Sequence, residues 1–282
     1  MSSTETAAEA AQELFADVSP GWQRWDAKLT EAARPASEAI IAAARIAPGM
    51  QVLDVATGTG EPALTIVPLV GPQGHVTATD VVPAMVAFAE AKAKRRGLPN
   101  ISFRVADAAD LPFDDSQFDA VTSRMGVMFF PRERALAEIL RVLRAGGRAA
   151  FTAWGRYDVN PWLTSVREPV VRRLRVPPSS SGGPDVFRYA VAGTLAAEME
   201  RAGFRDVEER PLRGRWSFAG TPKDFWTFQS EIGGAMTRPG WDSLTEAEQA
   251  SAEAESLQLL EPFRDGDKVA IPIDLILASG SR

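Results

Sequence analysis

The sequence predicts an α/β fold built on a doubly wound, mostly parallel sheet. A short apolar strand, Val52–Val55, runs into the glycine turn Gly58-Thr59-Gly60. Strand and helix patterns then alternate at regular spacing as far as Ala153. Such alternation is typical of a parallel sheet covered by helices on both faces. In a sheet of this kind the ligand crevice lies beyond the carboxyl ends of the strands.

The alternating part of the chain begins after Pro48-Gly49. Before it, residues 1–13 read as a frayed helix or a tail, and residues 26–46 as helix that Pro35 breaks or restarts. The predicted strands are Val52–Val55, Val76–Thr79, Ile101–Val105, Phe118–Ser123 and Gly147–Ala153. The predicted helices are Ala63–Leu69, Pro83–Arg95 and Arg134–Leu143. The run Arg141–Gly147 is typical of a helix end, with cations in the last turn and glycine beyond it.

The regular pattern stops after the fifth strand. Residues 155–190 contain the loop-like run Val176–Pro184, and 213–265 form a second irregular segment rich in Trp and Phe. Between and after them we predict a helix at Leu195–Ala202 and strands at Val207–Leu212 and Val269–Leu277. We therefore expect a helical cap at 1–47 and one α/β domain at 48–282, with lid insertions at 155–190 and 213–265.

Composition excludes several classes of protein. The 282 residues carry a net charge of −6, which disfavours a nucleic-acid partner because phosphate binding needs a basic face. We expect the two densest basic groups, Lys92–Arg96 and Arg167–Arg175, to be solvated helix faces. The sequence contains no cysteine, which excludes disulfides and thiolate chemistry. No membrane-spanning run or signal-peptide pattern is present, so we expect a cytoplasmic protein.

The glycine turn and the acid before it carry most of the functional information. The glycines let the backbone approach a ligand, while Asp54 favours a ligand with a positive group as well as a nucleoside. S-adenosylmethionine, with an ammonium and a sulfonium, fits better than a dinucleotide. Two alternatives stay open: an ordinary tight turn, and the dinucleotide pattern formed by Gly58, Gly60 and Ala63, with Asp80 seventeen residues later.

Two further acids follow the next strands. Asp80 ends the second strand, where a carboxylate can accept both hydroxyls of a ribose. Both cofactor readings use Asp80 in this way, and its other role, capping the helix at Pro83, fits poorly. Asp107 follows the third strand, where an acid can accept from an adenine amino group. Asp114-Asp115 reads as a polar turn.

These segments together resemble a class I S-adenosylmethionine-dependent methyltransferase, most similar to the ubiquinone/menaquinone biosynthesis methyltransferase-like family. The resemblance covers Pro48 to Trp154 and rests on Asp54–Gly60, Asp80 with Met85, Asp107–Val121 and Leu143–Gly147. It implies a Rossmann-like sheet of seven strands with the last antiparallel, and S-adenosyl-L-methionine as cofactor. The cofactor-binding residues it implies are Asp54, Ala56, Thr57, Gly58, Gly60, Asp80, Val81, Met85, Asp107, Ala108 and Arg124.

The sequence departs from the quinone enzymes after the fifth strand. Phe151–Gly155 lacks the Glu-Phe-Ser type of ending, which puts a quinone substrate in doubt but leaves the cofactor. Aromatic residues in the covering segments can wall a pocket for a flat or apolar acceptor, or form a satellite core. They are Trp22, Trp25, Trp154, Trp162, Phe225, Trp226 and Phe228. As substrate-binding residues we expect Trp22, Trp25, Met125, Trp154 and Trp226.

The only histidine, His75, starts the second strand, roughly 16 Å from the active edge at Asp80. The chain therefore lacks a histidine general base. Three alternatives remain. The acceptor needs no strong base, a carboxylate or a tyrosine acts as the base, or proximity alone is sufficient for the transfer. Glu231 is one candidate base, and the candidate catalytic residues are Arg124, Tyr157 and Asp158.

The sequence as a whole favours a metal-independent methyltransferase acting on a small aromatic or apolar acceptor by in-line attack, as a monomer or homodimer. A nicotinamide-dependent oxidoreductase is the second hypothesis, disfavoured by Asp54 and by the absence of a Tyr-x-x-x-Lys pair. A catalytically silent cofactor-binding protein on the same fold is the third.

Overall fold

The computed structural model describes residues 5–174, 185–233 and 240–282, so the predicted loop Val176–Pro184 lies outside the described residues. The strands are β1 Gln51–Val55, β2 His75–Asp80, β3 Ile101–Val105, β4 Phe118–Arg124, β5 Leu143–Trp154, β6 Arg205–Ala219, β7 Arg264–Asp265 and β8 Lys268–Ser281. The helices are α1 Glu5–Ala32, α2 Arg34–Ala43, α3 Ala63–Val70, α4 Pro83–Arg95, α5 Arg132–Val142, α6 Pro161–Val171, α7 Thr194–Ala202, α8 Pro222–Ile232 and α9 Glu246–Leu260.

The sheet has the order β3-β2-β1-β4-β5-β8-β6, with β7 paired to β8. The first five strands are parallel, and β8 runs antiparallel to both β5 and β6. The antiparallel last strand is confirmed, but the sheet has eight strands rather than seven. The additional strand is the two-residue β7, which is too short to leave a hydrophobic pattern in the sequence. The strand order reverses between β1 and β4, where sheets of this type bind ligands.

Both faces of the sheet are covered. Along β1, Val52 packs in one hydrophobic cluster, while Leu53 and Val55 pack in the other. Successive strand residues point to opposite faces, so a strand with apolar residues at adjacent positions must be buried on both sides. Helices α3 and α4 pack on β2, and α2 packs on β4 and β5. The doubly wound arrangement is confirmed.

The N-terminal part forms two helices. Helix α1 runs without interruption from Glu5 to Ala32, so residues 5–13 are helical, which agrees with one of the two predicted alternatives and not with the tail. The predicted break at Pro35 is confirmed, because α2 begins at Arg34 and carries Pro35 in its first turn. Helix α1 packs against α8, β6 and α4, and it therefore connects both halves of the fold.

The segment predicted as irregular from 213 to 265 is mostly regular. Residues 213–219 continue β6, which is much longer than the predicted strand Val207–Leu212. Helices α8 and α9 follow, and each begins with a capping box, formed by Thr221 with Asp224 and by Thr245 with Glu248. In a capping box the hydroxyl and the acid each satisfy a free N–H of the first helical turn.

The junction between α5 and β5 also differs from its prediction. Helix α5 ends at Val142, and the extended backbone of Leu143 starts β5 without a connecting loop. Gly146 and Gly147 therefore lie within β5 and do not cap the end of α5. Among the described residues, none of the helices is both long and apolar enough to cross a membrane.

Candidate active site

A cavity opens at the carboxyl ends of β1, β2 and β4. It encloses about 1390 Å³ of empty space, part of it open to solvent. One end follows the glycine turn, and the other is walled by α1, α6, β6 and α8. The predicted cofactor residues that line the cavity are Ala56, Thr57, Gly58, Asp80, Val81, Met85, Asp107, Ala108 and Arg124. Asp54 and Gly60 do not line it and lie directly behind this wall.

The glycine turn is held in a tight and partly left-handed backbone. Ala56, Gly58 and Gly60 have φ angles of 57°, 55° and 104°. A Cβ atom on Gly60 would lie 2.8 Å from the side chain of Leu64, so this position needs glycine for space as well as for conformation. The Gly58 N–H donates to Asp80 Oδ2 at 2.8 Å, which ties the turn to the end of β2.

Asp54 lies fully buried beneath the turn. Its Oδ1 accepts from the Thr122 hydroxyl at 2.7 Å, whereas its Oδ2 accepts no hydrogen bond from any residue that the structure describes. Burial raises the pKa of Asp54 to about 6, although the Thr122 hydrogen bond opposes the shift. Among the described residues, the buried Ser123 hydroxyl also has no hydrogen-bond partner, and the Thr57 hydroxyl has none beyond its interaction with Asp54. Because buried polar atoms normally have partners, these groups indicate a site for a polar ligand.

The two other acids occupy the cavity wall. Asp80 accepts from the backbone N–H groups of Gly58 and Val82, at 2.8 Å and 3.0 Å. Burial raises the pKa of Asp80, and these backbone donors oppose the shift. Each carboxylate oxygen keeps a second lone pair, so Asp80 can still accept from a ligand hydroxyl. Asp107 accepts from the Ala109 N–H at 2.9 Å through Oδ1.

Arg124 places a cation at the end of β4. Its Nη1 donates to the Ser37 hydroxyl at 3.0 Å. Burial lowers the pKa of Arg124, while the charges of Glu61, Asp54 and Asp26 oppose that shift. Within the described ranges Arg124 forms no ion pair shorter than 4 Å, and it lines the cavity beside the carboxylate of Glu61.

A buried ion cluster lies beside the glycine turn. Lys92 Nζ lies 2.9 Å from Asp26 Oδ1 and 3.6 Å from Glu61 Oε1, and Arg96 Nη1 lies 3.3 Å from the same Glu61 oxygen. The prediction of a solvated face is wrong for Lys92, which is only 5% exposed. Its neighbours Lys94, Arg95 and Arg96 are exposed as expected.

The second basic group is also more engaged than predicted. Arg172 and Arg173 both pair with Glu255 of α9, and Arg167 donates to the Tyr157 hydroxyl at 3.1 Å. Arg175 lies outside the described residues.

The far end of the cavity is aromatic. Trp22, Met125, Trp154 and Trp162 line it, together with four residues that the sequence did not identify: Phe15, Trp216, Gln229 and Ile232. The rings of Trp162 and Trp216 lie 5.0 Å apart, edge to face. The Trp22 indole N–H donates to the Ile232 carbonyl at 3.1 Å. By contrast, Trp216 Nε1 and Gln229 Nε2 are buried and have no hydrogen-bond partner within the part of the chain that the structure describes.

Two predicted substrate residues lie elsewhere. Trp25 faces away from the cavity, donates to Glu231 Oε2 at 2.6 Å, and packs on Phe228. Trp226 lines a separate groove and contacts Trp241. Each lies near a cavity residue on its own helix: Trp25 is three residues after Trp22 on α1, and Trp226 is three residues before Gln229 on α8. Sequence spacing alone therefore does not separate them from the cavity residues. The fully buried Phe225 and Phe228 pack behind Trp162.

The candidate bases do not reach the cavity. Asp158 is largely exposed and pairs with Arg156, whose hydrogen bond lowers the pKa of the Asp158 carboxyl. Tyr157 stacks edge to face on Phe187, and Glu231 accepts from Trp25 and Arg24. The described cavity lining therefore includes none of Tyr157, Asp158 and Glu231, and this placement does not support a catalytic role for them. His75 begins β2, as predicted, and lies 2.9 Å from the Ser102 hydroxyl.

Comparison with known proteins identifies the family. Residues 52–147 match a family model described as a methyltransferase domain. The ubiquinone/menaquinone biosynthesis C-methyltransferase UbiE of Methylobacterium nodulans is 35% identical over 201 residues, covering 67% of this chain and 76% of that protein. The Brucella canis enzyme of the same name is 35% identical over 179 residues, covering 59% of this chain and 66% of that protein.

Solved structures agree in fold. The YcgJ protein from Bacillus subtilis gives a TM-score of 0.56 at 17% identity, covering 87% of this chain and 97% of that chain. Phosphoethanolamine N-methyltransferase 2 from Haemonchus contortus, solved with S-adenosylhomocysteine, gives 0.53 at 16% identity, covering 88% and 52%.

The site fits the cofactor of this family. The unpartnered Asp54 Oδ2 suits a ligand ammonium, the left-handed turn offers a close backbone approach, and Asp80 keeps free lone pairs. The family assignment excludes the nicotinamide-dependent oxidoreductase as an interpretation of this chain. Turnover of the cofactor with any acceptor is the observation that would exclude a catalytically silent protein on this fold. The chain belongs to the S-adenosylmethionine-dependent methyltransferases, in the family of the UbiE C-methyltransferases.

Proposed function

We propose that this enzyme methylates a small aromatic acceptor that carries an oxygen, and that the acceptor occupies the aromatic end of the cavity. The continuity of one cavity from the glycine turn to Trp154, Trp162 and Trp216 is the observation that carries the proposal. S-adenosylmethionine supplies an electrophilic methyl group, and the protein must bring a nucleophile in line with it.

The residues at the glycine-turn end are proposed to hold the cofactor. Asp54 balances its ammonium, and Asp80 accepts from its ribose hydroxyls. Asp107 accepts from the adenine amino group through its remaining lone pairs, and Met85 packs on the adenine. Val81 and Ala108 complete this apolar contact. Arg124 faces an anionic group, either the cofactor carboxylate or an oxyanion of the acceptor.

The composition of the far end favours a flat acceptor with a hydrogen-bond-accepting atom. Its walls are aromatic and exclude water, which strengthens polar contacts inside. Trp216 can only donate a hydrogen bond, and its N–H is buried without a partner among the described residues, as is the Gln229 amide. The carboxylates among the described lining residues are Glu61, Asp80 and Asp107, all at the glycine-turn end. An oxygen on the acceptor suits these donors, whereas an ammonium does not.

The bacterial relatives support the same class of acceptor. They are C-methyltransferases of ubiquinone and menaquinone biosynthesis. We extend to this chain only the chemistry of an electron-rich, oxygen-bearing ring. The altered sequence after β5, Phe151–Gly155, argues against assuming the same quinone substrate.

The reaction is proposed to run on alignment and exclusion of water, without a protein base. The candidate bases Asp158, Tyr157 and Glu231 lie outside the cavity, and His75 is at the start of β2. Aligned reactants can gain effective molarities of roughly 10⁵–10⁸ M, which is sufficient for a methyl displacement. Arg124 and the unpartnered donors would stabilise an acceptor oxyanion.

The proposal is tested by methyl transfer from labelled S-adenosylmethionine to acceptors that share one ring. The panel is 1-naphthol, 1,4-naphthalenediol, naphthalene and 1-naphthylmethylamine. We expect label in the hydroxylated rings and none in naphthalene; methylation of the amine alone would overturn the acceptor class.

Two matched tryptophan variants locate the acceptor. Trp216→Phe deletes the indole N–H and should raise KM for the hydroxylated acceptor roughly tenfold, the size of one hydrogen bond. Trp226→Phe, in the separate groove, should leave KM within about twofold. Equal effects of the two variants would place the acceptor elsewhere.

A further inference from the structure

Helix α1 presents one stripe of residues to the cavity. Phe15, Trp22 and Leu29 line the cavity and are spaced by seven residues, so they share a face of the helix. Asp26, four residues after Trp22 and three before Leu29, lies at one edge of this stripe, whereas Trp25 lies at the other edge. Asp26 is 9% exposed, and its carboxylate therefore points to the protein side of α1 and not to solvent.

Lys92 of α4 is the partner of Asp26. Its Nζ lies 2.9 Å from Asp26 Oδ1, 3.4 Å from the Thr59 carbonyl and 3.6 Å from Glu61 Oε1. One buried ammonium thus contacts the covering helix, the glycine turn and the residue that follows the turn. Glu61 itself lines the cavity and also accepts from the Thr65 hydroxyl at 2.6 Å.

The same stretch of α1 is also fixed to the insertion. Trp22 donates to the Ile232 carbonyl at 3.1 Å, and Trp25 and Arg24 both contact the Glu231 carboxylate. A Cβ atom on Gly21 would lie 2.5 Å from the Glu231 carbonyl oxygen, so the two helices are in close contact there. Helix α1 therefore bridges the acceptor end, through α8, and the cofactor end, through Lys92.

We propose that Lys92 is a positioning residue that couples cofactor binding to the seating of α1 over the cavity. Lys92 fixes the Thr59 carbonyl and Glu61, and it holds Asp26 of the helix that walls the acceptor end. Ordering the glycine turn around a ligand therefore also orders α1. By linkage, the free energy that the seated helix adds to cofactor binding equals the free energy that the bound cofactor adds to the seating of the helix. Disruption of the Lys92–Asp26 pair should reduce both by the same amount.

The chain supplies a matched control on the same helix. Lys94 lies two residues from Lys92 and pairs with Glu90 at 2.9 Å, but both side chains are exposed. Lys94→Met removes an equal charge without touching the turn or α1. Lys92→Arg keeps a cation with similar reach and serves as the conservative rescue, and Asp26→Asn tests the partner while keeping its shape.

The experiment measures S-adenosylhomocysteine affinity by calorimetry and amide hydrogen exchange in residues 15–32, with and without that ligand. We expect Lys92→Met to weaken the ligand at least tenfold, Asp26→Asn several-fold, and Lys94→Met less than twofold. Lys92→Arg should recover most of the loss. In the wild type the ligand should slow exchange in residues 15–32, and Lys92→Met should abolish that slowing while the ligand still protects residues 54–60.

The outcomes separate this inference from the proposed acceptor, because no acceptor is used. Wild-type affinity in folded Lys92→Met, or ligand-dependent slowing of α1 that persists in that variant, would overturn the coupling. If Lys92→Met does not fold, the same two readouts on Asp26→Asn and Lys92→Arg decide the question. Failure of the wild type to bind the ligand would instead contradict the cofactor site itself.

Discussion

Asp54 and Thr122 are register partners on β1 and β4, and the Thr122 hydroxyl donates to Asp54 Oδ1 at 2.7 Å. The other oxygen, Oδ2, is buried with no hydrogen-bond partner among the residues that the structure describes. Half of this carboxylate is thus satisfied by the sheet, and half is left for a ligand at the strand end. Its pKa, raised by burial to about 6, makes this arrangement sensitive to pH near neutrality.

The free energy of unfolding of the ligand-free protein should depend on pH through the ionisation of Asp54. Because the folded pKa of about 6 exceeds the ordinary aspartate pKa of 3.8, folding is penalised whenever Asp54 must be ionised. The penalty is full above pH 6 and is relieved as pH falls from 6 towards 3.8. A shift of about two units corresponds to about 3 kcal/mol. Asp54→Asn should therefore unfold at higher urea than wild type at pH 7.5, with the gap closing towards pH 4.5. A gap independent of pH would refute the shift.

Cofactor affinity should respond to the same group in the opposite sense. Below pH 6 Asp54 is protonated in the free protein and cannot balance a ligand ammonium. We expect the affinity for S-adenosylhomocysteine to be constant from pH 8 to 7 and to fall by up to about tenfold per unit below pH 6. Asp54→Asn should bind weakly at every pH, and calorimetry between pH 5 and 8 measures both curves. An equally steep fall in the variant would assign the titration to another group.

Asp80 should be needed for the cofactor, and His75 should not. Asp80→Ala removes a proposed ribose acceptor and the anchor of the Gly58 N–H, so we expect at least tenfold weaker S-adenosylhomocysteine binding. His75→Ala, at the opposite end of β2, should bind the ligand and turn over as wild type does. Unchanged affinity in Asp80→Ala by calorimetry would remove the ribose assignment. Loss of activity in folded His75→Ala would contradict its placement.

Gly126 is packed between the glycine turn and the end of β4. A Cβ atom there would lie 2.6 Å from Ser123 Oγ and 2.7 Å from the Ala56 Cβ. Gly126→Ala should cost roughly 1–3 kcal/mol of stability or displace Ala56, with weaker cofactor binding. Gly214→Ala on β6 is the control, since nothing lies within 4 Å of its Cβ position. Urea unfolding of the pair gives the comparison; equal stabilities would show that the turn is free to move.

Removal of the exposed Asp158 carboxylate should not affect catalysis. Asp158 lies outside the cavity and pairs with Arg156 at the surface. We expect Asp158→Asn to keep kcat within about twofold of wild type, because surface ion pairs contribute little. A large loss of kcat with unchanged cofactor affinity would restore Asp158 as a base.

The cofactor half of the fold could be predicted from sequence because its signals are local. Helix α4 and strand β3 have the predicted bounds, set by Pro83 and by a short run of β-branched and aromatic residues. The end of β6 was also readable, since buried Trp216 and Phe218 alternate with the exposed Ser217. The prediction of an irregular segment rests on its composition alone. It does not use that period-two pattern or the capping boxes of α8 and α9.

Other parts of the site depend on contacts between distant residues. Lys92 reads as part of a basic helix face until Asp26, 66 residues away in sequence, meets it. Trp22 and Trp25 are the same residue type on the same helix. Only the position of α8 determines that Trp25 contacts Glu231 whereas Trp22 lines the cavity. The acceptor end is built by α1, α6, β6 and α8 together, so no single stretch of sequence could define it.

The most direct test of the account is thermal unfolding of the full chain with S-adenosylhomocysteine, beside NAD and NADP. A ligand at 100 times its dissociation constant adds about 2.7 kcal/mol, which is several degrees for a chain of this size. We expect a rise with S-adenosylhomocysteine alone, and at most about half of that rise in Asp80→Ala at the same ligand concentration, because tenfold weaker binding leaves only about 1.4 kcal/mol. A rise with only a nicotinamide cofactor, or an undiminished rise in the variant, would contradict the site described for this enzyme.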